Sequence, residues 1–388
     1  MKLSDIIRSE LRALFGSKSP AAVLLFGIPI LYSIFFGCAY SSNVVKYVPT
    51  VIYDQDQTTA SRTLIQAYID SEKYEVVAQV RTQEELEQLL HENKALVAVS
   101  IPPKFAQNIK LGMASEILIQ TNSTNVMFAN AAISSSQEII QTFSAATGQK
   151  LLEALNQMPA QALHTAAPVK LGIRILNNPT IAYTNFMLPG LVANGLQIAI
   201  LLVAGTLIVK EYGNLSRWQG TSSTTIVIGK LLPCWLCAIG SFLAYLAVII
   251  LFFNVSYRGG VFFDLFFLGA AFTFLVVSIS LFFSAIVRNE VEALQMPLLY
   301  IMPGLLYSGL SWPAWAMGDF ARVFSAFMPL TYMADSLRDL LLAGYSPALL
   351  QNILIMFAGG SVLNLITMLV FNHRRKKLRF KTVKEAAL

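Results

Sequence analysis

The stretch Pro20–Tyr40, "PAAVLLFGIPILYSIFFGCAY", decides how the rest of the chain is read. It contains no charged residue, and about 20 apolar residues are enough for a helix to cross the hydrocarbon core of a bilayer. A signal peptide is the competing reading. The run is longer than a signal peptide's apolar core of about 7–15 residues, and no small-residue cleavage pattern follows in "YSSNVVKY", Tyr40–Tyr47. It therefore reads as a retained anchor.

Composition agrees. Of 388 residues 55% are hydrophobic and only 13% charged, with a mean hydropathy of +0.59. Soluble domains carry about 25% charged residues. Five further apolar segments lie in the second half, at about Phe186–Val209, Leu231–Phe253, Leu265–Val287, Leu294–Leu310 and Leu349–Phe371. The fourth of these is short and interrupted by Pro297, Pro303 and Gly304. A re-entrant or interfacial piece, "SGLSWPAWAMGDFARVFSAF", follows it at Ser308–Phe327. The expected fold class is a polytopic α-helical membrane protein with six transmembrane helices.

Charge orients it. With both termini on the cytoplasmic side, the inside segments hold 15 of the 28 basic residues and 6 of the 22 acidic ones, a balance of +9 against −3 outside. The tail "NHRRKKLRFK", Asn372–Lys381, decides that count, and a basic run directly after a span is a topology anchor that can touch anionic lipid rather than nucleic acid. Residues 373–388 read as this cytoplasmic tail.

Residues 1–18 place Leu3, Ile6, Ile7, Leu11, Leu14 and Phe15 at helical spacing, with Lys2, Arg8, Arg12 and Lys18 on other faces. This is an amphipathic helix for the cytoplasmic interface, either a plain anchor or a platform for a partner. Residues 41–178 alternate strand and helix signals, predicting an inserted extracytoplasmic α/β domain. Strands are expected at Tyr47–Tyr53, Tyr74–Val80, Ala95–Ile101 and Glu116–Gln120. Helices are expected at Ala60–Asp70, Gln83–Glu92 and Pro103–Lys110, the second opened by Thr82 and Glu85 as a capping box. A long helical stalk over Asn125–Met158 leads back to residues 179–372, the five-helix part. Between its first two spans lies "VKEYGNLSRWQGTSSTTIVIGKLLP", Val209–Pro233, read as a polar cytoplasmic loop with Gly229-Lys230 opening the next span.

Several chemistries are excluded or weak. No phosphate-binding G-x-x-x-x-G-K-[ST] occurs. Cys38, Cys234 and Cys237 all sit in apolar runs and make no disulfide framework. His91, His164 and His373 form no cluster, so no metal site is proposed. "YDQDQTT", Tyr53–Thr59, spells the D-x-D-x-T of aspartyl-nucleophile phosphatases, but no later lysine and acidic pair that would hold Mg²⁺ accompanies it. The bland reading is a strand-to-helix turn, with Asp54 and Asp56 in the turn and Thr58 or Thr59 at the cap.

The order of parts resembles the permease subunits of type-2 ABC exporters, of the multidrug and antibiotic-resistance kind with a large domain between the first two spans. Glu211, Gly213 and Gly229-Lys230-Leu231-Leu232-Pro233 match the loop after the family's second span. Asn214 stands where Thr is usual, and Ser216-Arg217-Trp218 replaces Glu-Gln-Leu. Pro329, Tyr332, Arg338 and Gly344 fit the motif before the last span. Asp54, Asp56, Ser61 and Arg62 match the outer domain's first strand and turn, followed there by Ile101-Pro102, Phe105 and Gly112.

That resemblance implies a permease subunit of the bacterial inner membrane that exports amphiphilic or drug-like substrates. It works as a pair of permeases, two copies or close paralogues, on a separate ATP-binding cassette subunit. The chain itself binds no cofactor; the partner uses ATP and Mg. A periplasmic adaptor is a further implied partner, and nucleic acid is not one. Coupling falls to the N-terminal helix with Arg8 and to the loop with Lys210, Glu211, Gly213, Arg217, Gly229 and Lys230. Asn194 and Gln197 on the second span, and Tyr300, Met302 and Tyr307 on the fifth, are the candidate substrate pathway, helix–helix packing being their alternative role. The rival functions are a membrane-anchored scaffold whose outer domain recruits partners and an aspartyl-phosphate enzyme using Asp54.

Overall fold

A computed structural model describes residues 2–16, 19–42, 45–121, 126–154, 158 and 175–386. The chain divides into two compact units, residues 1–43 with 175–388, and residues 44–174.

In the second unit, β1 (Val48–Asp54), β2 (Tyr74–Val80), β3 (Val97–Ile101) and β4 (Leu118–Thr121) form one sheet in the order β2-β1-β3-β4. β1 runs parallel to both β2 and β3, and β4 is antiparallel to β3. The period-2 alternation of β1 divides its side chains between two cores. Val48 and Ile52 pack with Val97, Val99 and Ile101 against Leu64, Ile65 and Tyr68 of α3 (Thr59–Ile69). Val51 and Ala98 face Leu86 of α4 (Gln83–His91). α5 (Phe105–Lys110) and α6 (Val126–Ala154) complete the first layer, with Phe105 stacked on Phe143 at 5.9 Å.

The strand and helix sites agree with the sequence to within a few residues. One cap differs. Thr82 Oγ1 accepts from Glu85 N as expected, but the Glu85 carboxylate reaches back past Thr82 to accept from Arg81 N at 3.2 Å, so the reciprocal box is not closed. The stalk helix spans Val126–Ala154. Residues 155–157 and 159–174, the last of the expected stretch and its return, lie outside the described residues.

Tyr68 and Tyr74 tie α3 and β2 to α6. Their rings pack 5.1 Å apart, and the Tyr74 hydroxyl lies 2.5 Å from Ala132 O and 2.7 Å from Ser136 Oγ. Burial pushes the Tyr68 phenol up to about 12 from 10.0. A phenol whose folded pKa is raised stabilises the fold below its unfolded value, and that contribution is lost as pH rises through the folded one. A difference titration of wild type against Tyr68→Phe should therefore assign one tyrosine ionisation near pH 12 to Tyr68, with this unit losing stability above pH 10; a difference centred near 10 would contradict it.

In the first unit, α1 (Leu3–Leu14) and α2 (Ala21–Ala39) precede α7 (Tyr183–Ala204), α8 (Ser223–Phe253), α9 (Phe262–Ile286) and α10 (Glu290–Ile301). A four-residue turn of helix, α11 (Gly304–Tyr307), then α12 (Asp319–Ser325), α13 (Pro329–Leu342) and α14 (Leu349–Ala386) follow. Among the described residues, five helical stretches are long and apolar enough to cross a membrane: Ala21–Ala39, Tyr183–Gly213, Ser223–Phe253, Phe262–Ile286 and Leu349–Leu378. α7 and α9 are mostly buried, whereas α2 and α14 leave most of their side chains at least partly exposed.

The stretch expected as the fifth of six crossings is not among the five. It is divided between α10 and α11, because Pro303 lacks an N–H and its ring excludes a continuous helix. A second boundary also moves. α8 begins at Ser223, where Ser222 Oγ caps Thr224 N at 3.2 Å, so Gly229 and Lys230 lie inside a helix rather than at its mouth. The loop before it is correspondingly shorter and is wound into two 3₁₀ turns, Val209–Gly213 and Leu215–Trp218.

Candidate functional site

Lys230 makes this site. It is 3% exposed, two turns into α8, and a buried ammonium persists only when it is paired. Two carboxylates meet it: Glu10 Oε1 at 2.8 Å and Glu211 Oε1 at 2.7 Å. Glu10 comes from α1 and Glu211 from the first 3₁₀ turn, so one lysine joins the N-terminal helix to two elements that are neighbours in sequence. The other oxygen of Glu211 accepts from the indole Nε1 of the fully buried Trp218. Gly229 lets α1 seat here: a Cβ at that position would stand 2.6 Å from Ile6 Cγ2.

The C-terminal helix closes the same region. Arg375, itself buried, donates Nη1 to Thr221 O at 2.7 Å and Nη2 to Trp218 O. Arg374 donates Nη1 to Ala285 O and Val287 O, both at 2.6 Å, and its guanidinium lies 4.4 Å over the Tyr212 ring. Tyr212 in turn donates its hydroxyl to Ala285 O at 2.8 Å. Ser284 Oγ accepts from Ile208 N and Val209 N, which holds the start of the first 3₁₀ turn to α9. The loop is thus fastened to α8 and α14 by charge-assisted bonds, through Lys230 to α1, and to α9 by neutral hydrogen bonds.

The seven residues expected to couple to a partner fall into two sets. Glu211, Gly229 and Lys230 are buried within this network, whereas Arg8, Lys210, Gly213 and Arg217 are exposed. Lys210 pairs with Glu290 at 3.5 Å, and Arg217 lies 5.1 Å over Trp218. The sequence reading singled out neither Glu10 nor Arg375. Both carried a signal: Glu10 shares a face with Ile6 and Leu14, and Arg375 shares one with Phe371, so each is a charge on an apolar stripe.

The pathway candidates are not brought together as one wall. Asn194 and Gln197 turn into the protomer's core, where Gln197 Nε2 donates to Asn194 Oδ1 at 2.8 Å and Gln197 Oε1 has no partner. Met302 is 78% exposed. Tyr300 donates to Phe327 O, and Tyr307 meets Phe324 edge-on at 5.0 Å. At the other motif, Pro329 is the first residue of α13, Tyr332 donates to Ala326 O at 2.6 Å and Gly344 adopts φ +82° just past the helix. Arg338 pairs with Asp335 and lies 4.7 Å over Phe186; burial raises the Asp335 carboxyl against that pairing.

The D-x-D-x-T turn belongs to the other unit and is braced by its own bonds and one from α5. Asp54 Oδ1 accepts from Asp56 N and Gln57 N at 3.0 Å, and Oδ2 accepts from Ser61 Oγ at 2.7 Å. Asp56 Oδ2 accepts from Thr58 Oγ1 at 2.6 Å and from Ala106 N at 3.0 Å. Thr58 is the N-cap of α3, and Arg62 is exposed, reaching Gln57 O. A carboxylate saturated in this way is a turn brace, not a nucleophile. Asp54→Ala should destabilise this unit by about 2–3 kcal/mol, read as faster amide exchange over residues 54–62; unchanged exchange would refute the brace. Among the described residues no group of three or more His, Cys, Asp or Glu could hold a metal ion.

Comparison with known proteins agrees with this architecture. Over 358 residues the chain is 22% identical to the "Probable multidrug ABC transporter permease YbhR" of Escherichia coli (strain K12), covering 90% of this chain and 92% of that protein. It is also 22% identical to the "Inner membrane transport permease YhhJ" of the same organism, over 91% of this chain and 92% of that protein. A 233-residue part, 58% of the chain, is 26% identical to 32% of "ABC transporter G family member 20" of Dictyostelium discoideum. Residues 22–369 match the family described as ABC-2 family transporter protein, so the chain belongs to that family and is a membrane-spanning transport permease.

Proposed function

We propose that this permease is the membrane subunit of an ATP-driven exporter, moving amphiphilic, drug-like molecules out of the cytoplasm or inner leaflet. Family membership implies partnership with an ATP-binding subunit. That subunit is a separate chain, and two permease copies or close paralogues sit on it. The observation that carries the reading is the buried Glu10–Lys230–Glu211 triad. Its ion pairs couple α1, the loop and α8, while Arg8, Lys210 and Arg217 stay exposed on the elements it joins. A partner that pushes on those exposed residues moves a charge-locked block, and so tilts α7 and α8 rather than deforming the loop. This is a rigid-body switch powered from outside the membrane.

In the same reading both termini and the loop are cytoplasmic, in the inner membrane. The α/β unit is extracytoplasmic, where a periplasmic adaptor would meet it. α10 with the turn after it completes a sixth crossing. Tyr300, Met302 and Tyr307 line the pathway between copies, and an exposed, Met-containing surface suits varied amphiphiles. Asn194 and Gln197 join that pathway only when α7 turns. The multidrug name of the Escherichia coli relative supports the substrate class.

The test is co-purification with the ATP-binding subunit and measurement of its ATP turnover. Lys210→Glu with Arg217→Glu should weaken association about tenfold, the size expected for two reversed rim charges. Asp54→Ala should leave turnover coupled. Association indifferent to the double reversal would overturn the docking face. Failure to bind any ATP-binding subunit would favour a scaffold, and loss of coupling with Asp54→Ala alone would favour phosphoryl chemistry.

A further inference from the structure

α14 has two sharply different faces over residues 362–376. Asn364, Thr367, Phe371 and Arg375 are buried, and Asn364 donates to Ser278 Oγ of α9 at 2.8 Å. On the opposite face Val362, Leu365 and Leu369 are more than half exposed, and Asn372 and Lys376 continue the same stripe at three- and four-residue spacing. The exposed stripe therefore changes from apolar to polar within one helix, at the point where the membrane-crossing stretches Ser223–Phe253 and Leu349–Leu378 both end.

At that change the surface is concave. A recess of ≈ 560 Å³ lies between α14 and the start of α8, with Leu369 at its apolar side and Ser222, Ser223, Asn372 and Lys376 around it. Ser223 Oγ meets Asn372 Oδ1 at 3.2 Å, which closes one wall. Two lining residues are basic, Arg375 and Lys376, and none is acidic. Arg375 contributes its charge while its N–H groups hold Trp218 O and Thr221 O. Lys376 is exposed.

We propose that this recess seats the headgroup of an anionic phospholipid, with one acyl chain lying along Val362, Leu365 and Leu369. The phosphate accepts from Lys376 Nζ and from the hydroxyl of Ser222, whose oxygen also caps Thr224 N. The charge of the pocket selects an anionic headgroup, and continuity with an apolar stripe on a membrane-crossing helix selects a lipid over a soluble phosphate.

Native mass spectrometry of the full detergent-purified chain tests this, titrating phosphatidylglycerol against phosphatidylcholine with identical acyl chains. Phosphatidylglycerol should bind saturably and more tightly. Lys376→Gln should weaken it roughly fivefold, the effect of one lysine near an anionic surface, without altering phosphatidylcholine. Lys377→Gln, exposed but outside the recess, should change nothing. Equal binding of the two lipids, or equal loss from both lysine variants, would overturn the proposal. So would displacement by glycerol phosphate alone, which would mean a soluble ligand. Disulfide cross-linking of two copies through Leu369→Cys in a Cys38→Ser background would show that protein, not lipid, covers the stripe.

Discussion

Lys230→Ala is expected to be the most damaging single substitution in the first unit, lowering stability by about 3–5 kcal/mol in a thermal melt of the detergent-purified protein. The reason is an asymmetry in the triad. Two buried carboxylates share one ammonium, and Glu10 and Glu211 are 8% and 7% exposed. Removing the lysine strands both acids and sets them against each other. Removing Glu10 instead leaves a matched Lys230–Glu211 pair, so Glu10→Gln should cost only about 1 kcal/mol. The ordering matters more than either value. If Glu10→Gln proved as harmful as Lys230→Ala, the lysine would not be the shared member and α1 would be held by something else. Lys230→Ala should also uncouple ATP turnover from the substrate, which a thermal effect alone would not do at a temperature where the variant stays folded.

Arg375→Ala should be the next largest, about 2–4 kcal/mol, and its signature is local. The guanidinium is the donor to Thr221 O and Trp218 O, two carbonyls at the end of the wound loop. Each bond from a charged donor contributes about 1.5–3 kcal/mol, and Trp218 O keeps its backbone bond from Thr221 N at 3.2 Å. Amide exchange should quicken across residues 215–222, while Lys377→Ala, a neighbour of the same charge that is exposed, leaves the loop protected. Equal exchange in the two variants would mean that the tail's charge, rather than the Arg375 grip, orders the loop.

Much of this was legible beforehand, and the rest shows where sequence runs out. The anchor at Ala21–Ala39 and the strands and helices of the α/β unit follow from composition, periodicity and caps, all of which are local. The loop residues were also legible as a group, because a Glu, a Gly-Lys and an Arg-Trp in a short polar stretch between apolar runs are unusual. Their division into buried and exposed sets was not. That depends on α1 folding back onto Gly229, a contact between residues more than 200 positions apart, which no local pattern encodes. The start of α8 was misplaced for a related reason. "TSSTTIVIG" reads as a polar turn by composition, yet Ser222 caps it and its apolar residues Ile226 and Val227 are fully buried. Asn194 and Gln197 illustrate the converse: polar residues in a span invite a pathway, and here they pair with each other in the core, with Gln197 Oε1 left unpartnered.

The four consecutive cations Arg374–Lys377 end up with different environments. Two are spent on backbone carbonyls and two remain at the surface. In the proposed topology, membrane insertion reads such a run before α14 has folded. In the finished protein Arg375 is buried and Arg374 half-buried, while Lys376 and Lys377 stay exposed. Biogenesis and the mature fold therefore use the same four residues at different times and by different criteria. Arg375→Lys separates the two uses: the nascent chain would insert as before, and only the folded protein would register the change, because an ammonium cannot reproduce a planar grip on two carbonyls.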